Sequence, residues 1–223
     1  MKIVAIVSQK GGAGKTTIAV HLAVAAQRGG QTVAIIDLDP QATAASWGDW
    51  RGQDNPAVVA APYSRLGVTL EEAARAGVDL AIIDSPPSAD AAAVAAAKAA
   101  DLVLIPTRAS AFDLHAIKTT AELARIAQTP AFVVLNAVPA RAVALIEEAG
   151  AVVESLQLRL APVCLVDRAA FRHAVVNGQT AGEFEPSGKA AGEVGQLYTW
   201  VCGQLDTPTR GPVGAQDRKM VAA

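Results

Sequence analysis

Cysteine is scarce in this 223-residue chain: Cys164 and Cys202 are the only two. They stand far apart and without metal-ligand spacing, which argues against a disulfide framework or a zinc site and leaves them as small buried hydrophobes. Aromatic residues amount to 4%. The three histidines, His21, His115 and His173, each fall inside a helical pattern where surface or core packing accounts for them. Charge is thin as well, at 18% with a net value of −2. No basic run is present, so binding to nucleic acid or acidic lipid would need a patch assembled by folding. No apolar run reaches the roughly 18 residues of a membrane span, and the chain enters a strand without a leader pattern, so a cytoplasmic protein is expected.

What is present is apolar and alternating. A hydrophobic content of 52% over this length suits one domain with a two-sided core. Strand-like runs at Ile3 to Val7, Thr32 to Ile36, Asp79 to Ile83, Leu102 to Ile105, Phe132 to Leu135 and Pro162 to Val166 alternate with helical stretches. The helices fall at Thr16 to Gln27, Ala91 to Ala100, Leu114 to Ala127, Ala140 to Leu156 and Lys189 to Leu205. Alternation of this kind implies right-handed crossovers. The expected fold is α/β: a three-layer, doubly wound, mainly parallel sheet, over residues 1–206. Residues 47–67, with Trp47, Trp50, Pro56 and Pro62, read as an irregular excursion, and 207–223, with Pro208, Gly211, Pro212 and Gly214, as a disordered tail.

The stretch Ser8-Gln9-Lys10-Gly11-Gly12-Ala13-Gly14-Lys15-Thr16-Thr17 has the narrowest chemical explanation. Strand, glycine loop and helix aim backbone N–H groups and a helix N-terminus at one anion. Glycine at 11, 12 and 14 permits the turn and the close approach of a phosphate. Lys15 would reach the β- and γ-phosphates and the Thr16 hydroxyl would bind Mg²⁺. Gln9 stands where the generic motif has its first glycine. Two more strands end in carboxylates: Asp37 and Asp39, two apart and hence on one side, and Asp84 before Pro86-Pro87. Carboxyl ends of parallel strands are where such sheets bind ligands, which brings these acids to the glycine loop. Asp84 has the form of a Walker B carboxylate.

The lysine-rich loop Lys10 to Thr17 resembles the deviant P-loop of the ParA/MinD family of ATPases, in which the extra lysine is the signature. Asp37-Leu38-Asp39-Pro40-Gln41 is similar to that family's first switch segment and Asp84-Ser85-Pro86-Pro87 to its second. Ile105-Pro106-Thr107 with Phe112-Asp113-Leu114 continues the likeness, although Asp113 also reads as a helix cap. Leu135-Asn136 ends a strand where family members use an asparagine for adenine; a turn asparagine is the other reading. Val166 to Phe171 and Gly178-Gln179-Thr180 look like the short plasmid-partition, ParF-like branch. The likeness runs from Met1 to about Leu205.

This resemblance implies the P-loop NTPase fold for the sheet, and ATP and Mg²⁺ as cofactors, with Gly11, Gly12, Ala13, Gly14, Lys15, Thr16, Thr17 and Asn136 binding the nucleotide. Thr16, Asp37 and Asp84 would form the metal shell, and Lys10, Lys15 and Asp39 the catalytic set. Asp39 would position the attacking water and Lys10 would act across an ATP-dependent homodimer. The implied protein positions a plasmid, a chromosome or a large protein assembly. It would do so through non-specific DNA binding, with the nucleoid as matrix, and slow hydrolysis stimulated by a ParB-like or other adaptor. Arg141, Arg159, Arg168, Arg172 and Lys189 are the DNA-contact candidates. A membrane-bound relative is set aside because 207–223 has no apolar helical face, and a nitrogenase-iron-protein-like one because the cysteines do not match. A metabolic enzyme of the same fold, dethiobiotin-synthetase-like, is the alternative; Lys10 and the Asp37 to Gln41 segment favour the switch.

Overall fold

The computed structural model describes residues 1–87 and 90–207. Its elements follow in chain order as β1 (Lys2–Ile6), α1 (Lys15–Arg28), β2 (Val33–Asp37), α2 (Thr43–Arg51), β3 (Ala57–Ala60), α3 (Leu66–Arg75) and β4 (Leu80–Asp84). Then come α4 (Asp90–Ala99), β5 (Leu102–Thr107), α5 (Ala111–Ala127), β6 (Ala131–Leu135), α6 (Val143–Ser155), β7 (Arg159–Leu160), α7 (Ala169–Val175), α8 (Ala181–Phe184) and α9 (Lys189–Asp206). Seven strands form one sheet in the order β3-β2-β4-β1-β5-β6-β7, and every pairing is parallel.

The inner strands are buried on both faces, which is why they read as unbroken apolar runs. Val4 and Ile6 face the side covered by α1 and α9, with Ile18, Leu22, Val194 and Leu197. Their neighbours Ala5 and Val7 face the other side, with Leu66, Ala93, Ile117 and Val153 from α3 to α6. Alternation along one strand thus separates two cores. Alanines at 92, 93, 96 and 97 let α4 pack closely.

Three expectations are corrected. Residues 47–67 are ordered as the end of α2, the edge strand β3 and the start of α3. β3 was hidden because it is four residues long and largely exposed, so it lacks both the length and the burial pattern of an inner strand. The seventh strand is Arg159–Leu160, not Pro162 to Val166. Ala161 still donates to Val133, but the next donor to β6 is Leu165, to Leu135, where an unbroken ladder would use Val163; two extra residues loop out of the ladder beside Pro162. Cys164 and Cys202 are half-buried and unpaired. The proposed tail from Pro208 onward lies outside the described residues. Among those described, no helix is long and apolar enough to cross a membrane.

Candidate nucleotide site

Register makes the site. Along the sheet Ile6 pairs with Asp84, and Asp84 with Asp37, so β1, β4 and β2 end level with one another. Ser85 bonds back to the carbonyl of Ile6 through its hydroxyl at 2.9 Å, fixing the two central strand ends together. The loop from Val7 to Gly14 leaves this edge and delivers α1. Gly12 and Gly14 adopt φ of +72° and +96°, where a side chain would be strained. A Cβ at Gly14 would also lie 1.9 Å from Asn136 Nδ2, so this glycine is required twice. A Cβ at Gly11 or Gly12 would meet nothing within 4 Å, leaving an open bed above the backbone.

Lys15 is buried, and its ammonium donates to the Lys10 carbonyl at 3.3 Å. Burial lowers its pKa against the opposing pull of Asp84 and Asp39. Thr16 donates its hydroxyl to Asp84 Oδ2 at 2.6 Å. Asp84 is 1% exposed and its pKa is raised to about 7, first by burial and further by Asp37 and Asp39. Its other oxygen, Oδ1, is one of the few buried polar atoms with no partner among the described residues. No cluster of three protein ligands there could hold a metal alone. A hydroxyl, one orphaned carboxylate oxygen and an open phosphate bed are what a magnesium nucleotide needs, since that ion keeps waters and takes substrate phosphates. The residues present therefore fit Mg²⁺ and a polyphosphate.

Asp39 is half-buried; Oδ1 accepts from the Gln41 N–H at 2.9 Å, leaving Oδ2 unbonded within the described residues. Asp37, expected to support the magnesium shell, has both carboxylate oxygens bonded to backbone amides. Its Oδ1 accepts from Asp39 N and its Oδ2 from Ala44 N and Ala45 N, at 2.9 to 3.1 Å. It caps α2, whose first-turn donors need an acceptor, and any metal support would pass through this framework. Asn136 is set against the loop rather than turned outward: Nδ2 donates to the Ala13 carbonyl at 2.9 Å.

Lys10 and Asp113 hold the arrangement that sequence reasoning missed. The Lys10 ammonium is ion-paired with Asp113 of the same protomer, and Ser110 donates to the other carboxylate oxygen at 2.5 Å. Ser110, not Asp113, is the N-cap of α5. The Ser-x-x-Asp spacing announces a helix start, but nothing local ties it to a loop 103 residues earlier. Of the basic candidates, Arg168 is paired with Glu193 and Arg172 with Asp167, while Arg159 stacks 4.0 Å over the Phe132 ring. Arg141 and Lys189 are without ion pairs among the described residues.

A parallel sheet with a glycine loop, a buried lysine and a hydroxyl–carboxylate pair at its central edge defines a P-loop nucleotide-binding protein. The chain belongs to the CobQ/CobB/MinD/ParA nucleotide binding domain family, whose profile matches residues 4–177. It is 36% identical over 129 residues to the maintenance of carboxysome distribution protein A of Gloeobacter kilaueensis, covering 53% of this chain and 55% of that one. It is 32% identical over 143 residues to the chromosome-partitioning ATPase Soj of Thermus thermophilus, covering 51% and 57%. The chain thus spans about half the length of the curated relatives it matches. The fold is also that of a Cyanothece McdA variant, aspartate replaced by alanine, solved with ATP. The TM-score there is 0.69 at 21% identity, over 91% of this chain and 96% of that one.

Proposed function

We propose that this chain is an ATP-hydrolysing switch that positions or segregates a cargo. The observation that carries the reading is the cluster of Lys15, Thr16, Asp84 and Asp39 at one sheet edge, with the second lysine, Lys10, beside it. Loop amides and Lys15 would hold the β- and γ-phosphates of ATP. Thr16 and Asp84 would hold Mg²⁺, which neutralises charge on the phosphates when bound. Asp39 would accept a hydrogen bond from the attacking water through its open oxygen, orienting it toward the γ-phosphate. Lys10, its side chain 43% exposed, would leave Asp113 to reach the phosphates of a second protomer.

On this reading ATP drives a homodimer, hydrolysis is slow alone, and a ParB-like or other adaptor ends the ATP state. The partition and carboxysome-distribution ATPases among its relatives support that class of work. DNA is proposed as the matrix in a cytoplasmic, nucleoid-associated setting. Arg168 and Arg172 already have acidic partners, so Arg141, Arg159 and Lys189 are the stronger contacts. The test is biolayer interferometry on duplex DNA with ATP and with ADP. ATP-dependent binding should fall steeply with salt, by nearly one unit of log–log slope per phosphate contact. Binding absent with ATP at low salt removes DNA as the matrix, and absence of ATP turnover removes the whole reading.

A further inference from the structure

Two struts leave the nucleotide site and meet on residues 178–183, a segment with no place in the phosphate chemistry. The first is α1. One turn beyond Thr17, His21 is 1% exposed; it bonds the Thr17 carbonyl through Nδ1 at 2.7 Å and the Ala181 N–H through Nε2 at 3.0 Å. A carbonyl only accepts and an amide N–H only donates, so the ring is neutral with its proton on Nδ1. At the far end of α1, Arg28 donates to the Gly182 carbonyl at 2.7 Å.

The second strut is α2. Its N-terminus is tied through Asp37 to the backbone of Asp39. Its C-terminal half sends Trp47 Nε1 to the Gln179 carbonyl at 3.4 Å and Arg51 Nη1 to the Gly178 carbonyl at 3.1 Å. The guanidinium then forks onto Glu183 at 2.8 and 2.9 Å and takes Gln27 Oε1 at 3.2 Å. The Arg51 side chain is only 3% exposed. Glu183 closes a capping box with Thr180, so its carboxylate fixes the start of α8 while held by Arg51. Burial opposes its charge, but the Arg51 and Thr180 bonds hold its pKa below the usual value. The backbones themselves touch: Gly178 is at φ +64°, and a Cβ there would lie 2.4 Å from Arg51 N.

We infer that Arg51 is a positioning residue that couples the Asp39 segment to residues 176–184, so that this surface changes with the bound nucleotide. α2 is short and capped at both ends of its path, so it moves as a rigid body. A shift of Asp39 toward a γ-phosphate must move Arg51, while α1 keeps Ala181 and Gly182 where they are. The clamp converts that difference into a shift of the α7–α8 connection. Val176, Trp50 and Phe184 are 71%, 61% and 47% exposed on these same elements, and they would be repositioned with it. A guanidinium fork is needed because a lysine ammonium cannot meet two carboxylate oxygens and a carbonyl in one plane.

This inference rests on the ATP reading, and its test separates the two. Hydrogen exchange of the full chain is followed by mass spectrometry with and without saturating Mg–ATP, after calorimetry has measured ATP binding. In the wild type, ATP should change exchange of amides 176–184 by about five- to a hundredfold, the ordinary range of coupling. In Arg51→Met, ATP should still protect residues 8–17 while the change at 176–184 is lost; Arg51→Lys should recover part of it. Should Arg51→Met not fold, Glu183→Gln, which keeps the shape and removes the charge, carries the same expectation. ATP binding with unchanged exchange at 176–184 in the wild type overturns the coupling, as does a change that survives in both variants. No heat with ATP overturns the functional reading and the coupling with it.

Discussion

The ammonium of Lys10 is paired with Asp113 of its own protomer, although the two are 103 residues apart. A lysine engaged there cannot serve a second protomer, so the proposed dimer would have to break this pair. Only the lysine end is exposed, at 43% against 9% for Asp113, which places the pair at the upper end of the roughly 0–1 kcal/mol of surface pairs, and the Ser110 bond keeps the carboxylate in place without Lys10. Asp113→Asn should therefore shift ATP-driven dimerisation to lower ATP or protein concentration, by up to about fivefold. Lys10→Ala should bind ATP and remain monomeric. Light scattering across an ATP titration checks both. Dimerisation of Lys10→Ala at the wild-type midpoint would remove the role across the interface.

Lys15 is buried, and burial lowers its pKa against the opposing charges of Asp84 and Asp39. Removing it deletes a charge-assisted bond worth roughly 1.5–3 kcal/mol and leaves those acids uncompensated. Lys15→Ala should weaken ATP binding by about ten- to a hundredfold, as read by calorimetry. Unchanged affinity and turnover would refute the phosphate assignment.

Asp39 has one carboxylate oxygen committed to the Gln41 amide and the other open. Asp39→Ala should keep ATP affinity, lose hydrolysis and accumulate the dimer, and a phosphate-release assay beside size-exclusion chromatography measures all three. Hydrolysis at the wild-type rate would place the water under another residue. The framework of Asp37 makes a different expectation for its neighbour: Asp37→Ala should destabilise α2 through two lost first-turn amide bonds, at Ala44 and Ala45, and release the Asp39 amide as well.

His21 gives a pH dependence that does not touch the phosphate chemistry. Its pKa falls from 6.5 to about 4, chiefly by burial. The folded state keeps the ring neutral, so the unfolded chain binds the extra proton between these values. Stability is fully present above pH 6.5 and is lost progressively as pH falls toward 4, by about 3 kcal/mol for this group. Urea titrations at pH 7 and pH 4.5 should show that loss as a difference between the wild type and His21→Gln, because Asp84, whose raised pKa acts in the opposite direction over this range, is common to both. His21→Gln should start less stable at pH 7 and lose less on acidification; an equal loss would assign the acid sensitivity elsewhere.

By itself the sequence determined the parallel α/β class, the phosphate loop and the order of its carboxylates. These are properties of consecutive residues: Gly12 and Gly14 answer to local backbone angles, Ile82-Ile83-Asp84 to burial on both faces of a strand, and Lys15-Thr16 to the first turn of a helix. β3 escaped because four largely exposed residues carry no period, and β7 was displaced because the chain after Ala161 loops out of the ladder before Leu165 rejoins it. Tertiary structure alone decided which polar groups meet. Asp37 went to the amides of α2, Lys10 to Asp113, and Arg51 to a glutamate 132 residues away. Each partnership follows from strand register and helix placement, which bring residues distant in sequence within bonding distance of one another. Neighbours in the chain carry no record of that distance, so only the folded molecule fixes it.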